Sequence, residues 1–225
     1  MELQRDEILD ESPVVANNAM NRERELEGGN SYSRDLGLSV GELLAQRLER
    51  GHAVRWLDLC CGSGRALIQA AERFRNQELE ILGVDLVDFF APRPAGLLGL
   101  RFAVASLREW EPAESDFDLV TCVHGLHYVG DKLGLIARAC SWLAEDGLLV
   151  ANLDLAQVVL REGSAARRVS QVLRAQGLHY DRRKHLLRCE GRREIELPFT
   201  YLGADDQAGP NYTGQPAVAS HYEIR

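Results

Sequence analysis

Two carboxylates and a turn of small residues are the parts of this 225-residue chain best suited to chemistry. The first carboxylate stands in WLDLCCGSGRAL, residues 56–67. An apolar run reaches Asp58, passes through Cys60, Cys61, Gly62, Ser63 and Gly64, and continues into helix-forming residues. Small residues at such a turn let the backbone pass close to a ligand at the C-terminal edge of a strand. An acid ahead of the glycines suits a cationic group or an N–H donor and would repel a pyrophosphate. The second carboxylate, Asp85, ends the run ILGVD, 21 residues after Gly64. Taken alone it reads as a helix N-cap. After a glycine turn it reads as an acceptor for both hydroxyls of a ribose. Together the two acids describe a ligand with a cationic part and a ribose.

A third group lies in VHGLHYV, residues 123–129. A histidine there that titrates near neutrality can take a proton from a hydroxyl or an amine. The competing reading is that His124 and His127 pack against a ligand or cap the next helix. A metal site built from them lacks nearby carboxylate partners, so no metal is expected. The five cysteines, at 60, 61, 122, 140 and 189, are odd in number and have no zinc-type spacing,. They read as reduced thiols.

The elements that must position these residues follow from hydrophobic periodicity. Apolar strands are expected at 54–59, 79–85, 100–104, 117–123 and 147–153, and helical patterns alternate with them. Short apolar strands between helices mean a mostly parallel sheet covered on both faces. The fold class is therefore α/β, a doubly wound Rossmann-like sheet with helices on both faces. A helix at 39–50 has capping-box spacing at Ser39 and Glu42. A further helix is expected from Ser164 to Gln176. After it, strands at 185–191 and 193–203 suggest a C-terminal antiparallel hairpin. Residues 1–37, with nine acids and four bases, read as an exposed arm or lid. Residues 38–203 form the main domain, and the turn-rich 204–225 form an extension or tail.

With these residues in view, the chain resembles class I S-adenosylmethionine-dependent methyltransferases. LDLCCGSG resembles the family's first motif, with Cys60 where glycine is usual, and VDLVD resembles the second. FDLVTCVHGLHYV and LAEDGLLVANL resemble the fourth strand and the later turn and strand. The resemblance covers about residues 39–153. It implies S-adenosylmethionine as cofactor and S-adenosylhomocysteine as product. It implies that Asp58, Cys60, Gly62, Ser63 and Gly64 surround the methionine part, that Asp85 holds the ribose, and that Leu86, Ser106 and Leu107 lie near the adenine. His124 would stand near the methionine portion, and His127, or else His124, would act as base. In many relatives an N-terminal segment closes over the cofactor, a role that would fall to Asn30, Tyr32 and Arg34, with Arg34 as partner for the cofactor carboxylate.

Composition narrows the rest. Apolar residues make up 45% and charged residues 27%, as in ordinary globular domains,. Thirty-four acids against 26 bases give −8, which argues against nucleic acid as partner. No run of eighteen apolar residues exists, so no membrane span is expected. The acidic start MELQRDEILDESP lacks the core of a secretory signal, and a cytoplasmic location is expected. Residues 161–193 nonetheless hold ten basic and three acidic residues, net +7. They read as a solvated face or as a site for an anionic substrate or carrier. Lysine is scarce: only Lys132 and Lys184 occur. The expected activity is methyl transfer to a small-molecule O, N or C nucleophile. The alternatives are a tRNA or other macromolecular methyltransferase, and a cyclase-like or non-methylating cofactor-binding protein on the same scaffold.

Overall fold

The computed structural model describes residues 3–16, 23–163 and 165–225. In chain order the helices are α1 (Asp6–Asp10), α2 (Pro13–Ala16), α3 (Tyr32–Leu36), α4 (Val40–Leu48), α5 (Arg65–Arg73), α6 (Lys132–Ser141) and α7 (Ala165–Ala175). The strands are β1 (Val54–Leu59), β2 (Leu79–Asp85), β3 (Leu100–Val104), β4 (Phe117–Cys122), β5 (Leu143–Asn152), β6 (Val158–Leu160), β7 (His179–Asp181), β8 (Leu186–Glu190), β9 (Phe199–Asp205) and β10 (Ala219–Ile224). The Ser164 start expected for α7 lies outside the described residues.

Seven strands make the main sheet, in the order β3-β2-β1-β4-β5-β8-β7. Those from β3 to β5 are parallel, whereas β8 pairs antiparallel with both β5 and β7. Every residue of β4 is buried, as a strand covered on both faces requires. Successive strand residues feed opposite layers. Trp56, Leu119 and Val150 join the core beneath α4 and α5. Their neighbours Leu57, Val120 and Leu149 join the core beneath α6 and α7. The chain reverses its direction of travel across the sheet between β1 and β4. That is the switch point where such sheets open a crevice at their C-terminal edge.

The expected helix start at Ser39 is present, its Oγ accepting the Glu42 N–H at 3.2 Å. Two features differ from the sequence reading. The antiparallel hairpin is β7–β8, one element earlier than the strands read at 185–191 and 193–203. Past Gly191 the chain turns onto the corner between α6 and β5, where the Arg192 and Arg193 N–H groups donate to Ala144 and Cys140 carbonyls. Pro198, which has no N–H, precedes β9. That strand joins β6 and β10 in a second, three-stranded sheet. The N-terminal segment, read as exposed, also contributes to the interior: Leu26, Tyr32 and Leu36 are core residues. Gln4 also exchanges two backbone hydrogen bonds with Ala204 of β9. Among the described residues, no helix is long and apolar enough to cross a membrane.

One buried ion pair braces the sheet from below. Arg47 of α4 donates to Asp118 of β4 at 3.0 Å, and both side chains are 8% exposed. Asp118 also accepts the Arg55 N–H at 2.8 Å. Removing the cation would leave a buried carboxylate uncompensated, so Arg47→Ala is expected to cost about 3–5 kcal/mol of unfolding free energy. The Arg50–Asp146 pair is more than half exposed, and Arg50→Ala is expected to cost at most about 1 kcal/mol. Urea unfolding of the two variants checks the contrast.

Candidate functional site

The crevice is built from four loops at the C-terminal ends of β1, β2, β3 and β4. The turn after β1 takes left-handed backbone at Cys60, Gly62 and Gly64, with φ of 56°, 61° and 70°. A side chain at Gly64 would also strike the Phe102 ring, 2.4 Å from an ideal Cβ. Asp85 fastens the turn to β2: one carboxylate oxygen accepts the Gly62 N–H at 2.8 Å, and the other accepts the Val87 N–H at 3.2 Å. The turn after β4 lies against that after β1, since a Cβ on Gly125 would fall 2.3 Å from the Cys60 Cβ.

Between these loops lies a cleft. It is lined by Cys60, Gly62, Asp85, Leu86, Ser106 and Leu107, and also by Tyr32, His124 and His127. Leu9 and Val15 line it from the N-terminal segment, where an ion pair of 2.6 Å joins Glu7 to Arg108. Other candidates from the sequence lie elsewhere. Ser63 is buried and its carbonyl accepts the Ala91 N–H. Gly64 packs on Phe102. Arg34 is exposed, donates to the Gly29 carbonyl at 2.5 Å, and borders a second cleft.

Asp58 lies beneath the site, fully buried. Tyr32 donates its hydroxyl to one carboxylate oxygen at 2.6 Å, and Thr121 donates to the other. Trp56 in turn donates its ring N–H to Thr121. Burial pushes the Asp58 carboxyl up to about 7; the two hydroxyl hydrogen bonds oppose the shift, and nearby Asp85 adds to it.

The histidines form a chain. Asp35 lies 2.6 Å from Arg24 and 3.3 Å from His124 Nε2. Desolvation acts to raise the Asp35 carboxyl, but hydrogen bonds from His124 and Arg24 outweigh it and hold the group below its ordinary value. In the neutral tautomer with Nε2–H directed at Asp35, Nδ1 is the acceptor,. Nδ1 lies 3.4 Å from His127 Nε2 and 3.4 Å from the Tyr212 hydroxyl. Burial pushes Tyr212 well up, helped by Asp35 and Asp154, so its hydroxyl stays protonated. His127 is 1% exposed. Burial, then the neighbouring His124 and Lys132, drive it well below its ordinary value, so it is neutral. His124 itself takes left-handed backbone, φ 58°, a strained state for a non-glycine residue of the kind that clusters at functional sites.

Arg24, Asp35 and Tyr212 were not found by sequence reasoning. Arg24 and Asp35 sit among many charges without a distinguishing spacing. Tyr212 belongs to a turn-rich stretch with no periodicity. Among the described residues, no group of three or more metal-type side chains occurs.

A model of the methyltransferase domain matches residues 23–193. The chain belongs to that family. It is a class I, S-adenosylmethionine-dependent member, and the cleft fits that cofactor. Asp85 lines the cleft at the C-terminal end of β2, beside the glycine turn, where a carboxylate can accept the hydroxyls of a ribose. Similar solved structures include the plantazolicin methyltransferase BpumL in complex with SAH. It is 12% identical, over 51% of this chain and 45% of that one, with a TM-score of 0.40. YjhP from E. coli is 18% identical over 59% and 54%, with a TM-score of 0.40. The cyclase SpnF is 17% identical over 82% and 63%, with a TM-score of 0.43. The chain spans about half the length of the first two. No curated protein matches it.

The Asp58 environment of this family member has a measurable consequence. A carboxyl raised from 3.8 to about 7 by folding destabilises the fold once ionised. Its contribution is full below about pH 4 and is lost as pH rises through 7, by on the order of 4 kcal/mol in total. Urea unfolding at pH 5 and pH 8 should show a loss of stability in wild type that Asp58→Asn largely removes. An equal pH dependence in the two proteins would contradict the assignment.

Proposed function

We propose that this chain transfers a methyl group from S-adenosylmethionine to a hydroxyl or amine of a small molecule, releasing S-adenosylhomocysteine. The observation that carries this reading is the place of the Asp35–His124 pair. His124 lines both the cleft over β2, β1 and β4 and a second cleft over β4, β5 and β8. The bound cofactor supplies an electrophilic methyl carbon on a sulfonium.

The residues of the chain then have separate tasks. Asp85 and the Gly62 turn bind and orient the donor, with Leu86, Ser106 and Leu107 framing its far end. Leu9 and Val15 exclude water from above. His124 Nδ1 takes the proton of the acceptor as the new bond forms, and Asp35 holds the ring so that this nitrogen faces the acceptor. Arg24 keeps Asp35 ionised. Burial makes His127 a weak base, which favours His124 for proton removal. Tyr212, protonated, lies 3.4 Å from Nδ1 and borders the space beside it. General-base help of this kind contributes about 10²–10⁴-fold, and alignment of the reacting groups can contribute more.

The small-molecule class is supported by a cleft covered from the N-terminal side. The basic stretch 161–193 offers limited support for a polyanion, because part of it is committed within the fold. Arg188 donates to the Leu36 carbonyl, and Arg192 donates to the Leu143 carbonyl and to Asp116.

Calorimetry with S-adenosylmethionine and S-adenosylhomocysteine tests the reading. Wild type is expected to bind both. Asp85→Ala, which removes charged hydrogen bonds worth about 1.5–3 kcal/mol each, should bind about 10–150-fold more weakly. No binding by wild type would overturn the function. On an acceptor identified by a labelled-methyl screen, His124→Ala should slow the methyl-transfer step by about 10²–10⁴-fold while cofactor affinity is kept.

A further inference from the structure

The second cleft opens where β5 ends and β8 begins. It shares Arg24, His124 and Thr213 with the first. Its charges are unbalanced. Arg24, Arg34 and Lys184 line it, and among the described residues the one acid that lines it is Asp35. That acid is already engaged by Arg24 and His124. The lining therefore holds more cations than acids in a chain whose net charge is −8, an excess that Asp181, beside Lys184 but outside the lining, offsets in part.

Both cations are positioned by backbone. Arg34 Nη1 donates to the Gly29 carbonyl at 2.5 Å, which leaves further guanidinium donors for a ligand. Lys184 stands at the turn of the β7–β8 hairpin. Its N–H and that of Arg183 donate to Asp181 Oδ1, at 3.1 and 2.9 Å. The Tyr212 ring, 39% exposed, offers the lining an aromatic face, while Leu36 and Leu186 are buried. The Tyr212 ring stacks on His185 at 3.9 Å, with 6° between the planes. The Asn152 amide fixes the back of the cleft by donating to the Asp35 carbonyl and accepting the His124 N–H.

We propose that this second cleft is the acceptor subsite and that it selects a small molecule with an apolar body and one anionic group, a carboxylate or a phosphate. The inference rests on the methyl-transfer reading above, since it takes His124 as the point where acceptor and donor meet. An anion held by a guanidinium and an ammonium gains charge-assisted hydrogen bonds. The exposed Tyr212 ring packs against the apolar body, and the nucleophile is left facing His124. The same charges would steer an anionic acceptor toward the opening, an effect that weakens with salt.

Ligand-observed NMR with benzoate, phenyl phosphate and neutral benzamide, each with S-adenosylhomocysteine present, tests the subsite. Wild type is expected to bind at least one of the anions at least tenfold more tightly than benzamide. A stronger phenyl phosphate response assigns a phosphate, and a stronger benzoate response assigns a carboxylate. Lys184→Ala should weaken the preferred anion several-fold, and Arg34→Ala with Lys184→Ala should weaken it tenfold or more. Both variants should bind S-adenosylhomocysteine within about twofold of wild type. Equal binding of benzamide and the anions, or anion affinity unchanged in the double variant, overturns the subsite. So does a tenfold loss of S-adenosylhomocysteine affinity in the double variant, because Arg34 would then serve the donor. Intact S-adenosylhomocysteine binding without anion preference removes the subsite alone. Absence of S-adenosylhomocysteine binding in wild type removes the methyl-transfer reading together with it.

Discussion

The buried carboxylate of Asp58 ties together the segments from which the site is made. It belongs to β1, and it accepts hydroxyls from Tyr32 of α3 and Thr121 of β4. Tyr32 begins the short helix that also carries Asp35, so the Asp58–Tyr32 bond determines where Asp35 lies. Asp35 in turn orients His124, which leaves the end of β4 close behind Thr121. The distance from a structural acid to the candidate base is therefore two hydrogen-bonded steps. Short α3 has five residues, too few to hold its own helical structure in water. Its Ser31 cap and its tertiary contacts keep it in place. Loss of the Asp58 contact would act on His124 without touching it.

The same arrangement explains why the donor cleft and the second cleft have different electrostatic character. Asp58 and Asp85 both stand under the glycine turn, where they repel each other through a protein interior and burial favours the neutral form of Asp58,. The positive residues collect on the opposite side of His124. Whole-chain charge averages these two environments to one negative number. The +7 of residues 161–193 is likewise an average. Arg188 and Arg192 serve the fold, Arg167, Arg168 and Arg174 lie exposed on α7, and Lys184 reaches the cleft. A charge run in sequence is thus not a charged face in space.

What could be read in advance follows the range of the interactions involved. β1 to β4 were legible because a strand buried on both faces needs a continuous apolar run, a local property. The glycine turn and Asp85 were legible because strand ends define the crevice edge, and the same logic reaches Leu86, Ser106, Leu107 and His124. The second sheet was not legible. Its strands pair across the chain, β6 with β10 and β10 with β9, and Pro198 breaks the run that looked continuous through 193–203. Arg24 and Asp35 were hidden for a related reason. Their role comes from meeting each other and His124, a contact between residues about 90 apart that no spacing announces.

The C-terminal stretch shows how far such long-range placement can be carried by a single side chain. Lys132 is fully buried at the start of α6. Its ammonium donates to the Val129 and Val218 carbonyls and to Ser220 Oγ, at 2.8, 2.8 and 2.9 Å. These bonds join the turn that carries His127 to the lead into β10, and the Val218 N–H completes the join by donating to the His127 carbonyl. Upstream, Tyr212 is held by its N–H to Asp154 and by its stack on His185. The phenol that meets His124 is therefore placed from both ends. In a chain with 24 arginines and two lysines, this position holds one of the lysines for a geometric reason. An ammonium presents three donors around one atom and can meet three converging oxygens, whereas a planar guanidinium spreads its five donors in a fork. The bulk of that fork would push the 129–130 turn away from 218–220 and take His127 with it.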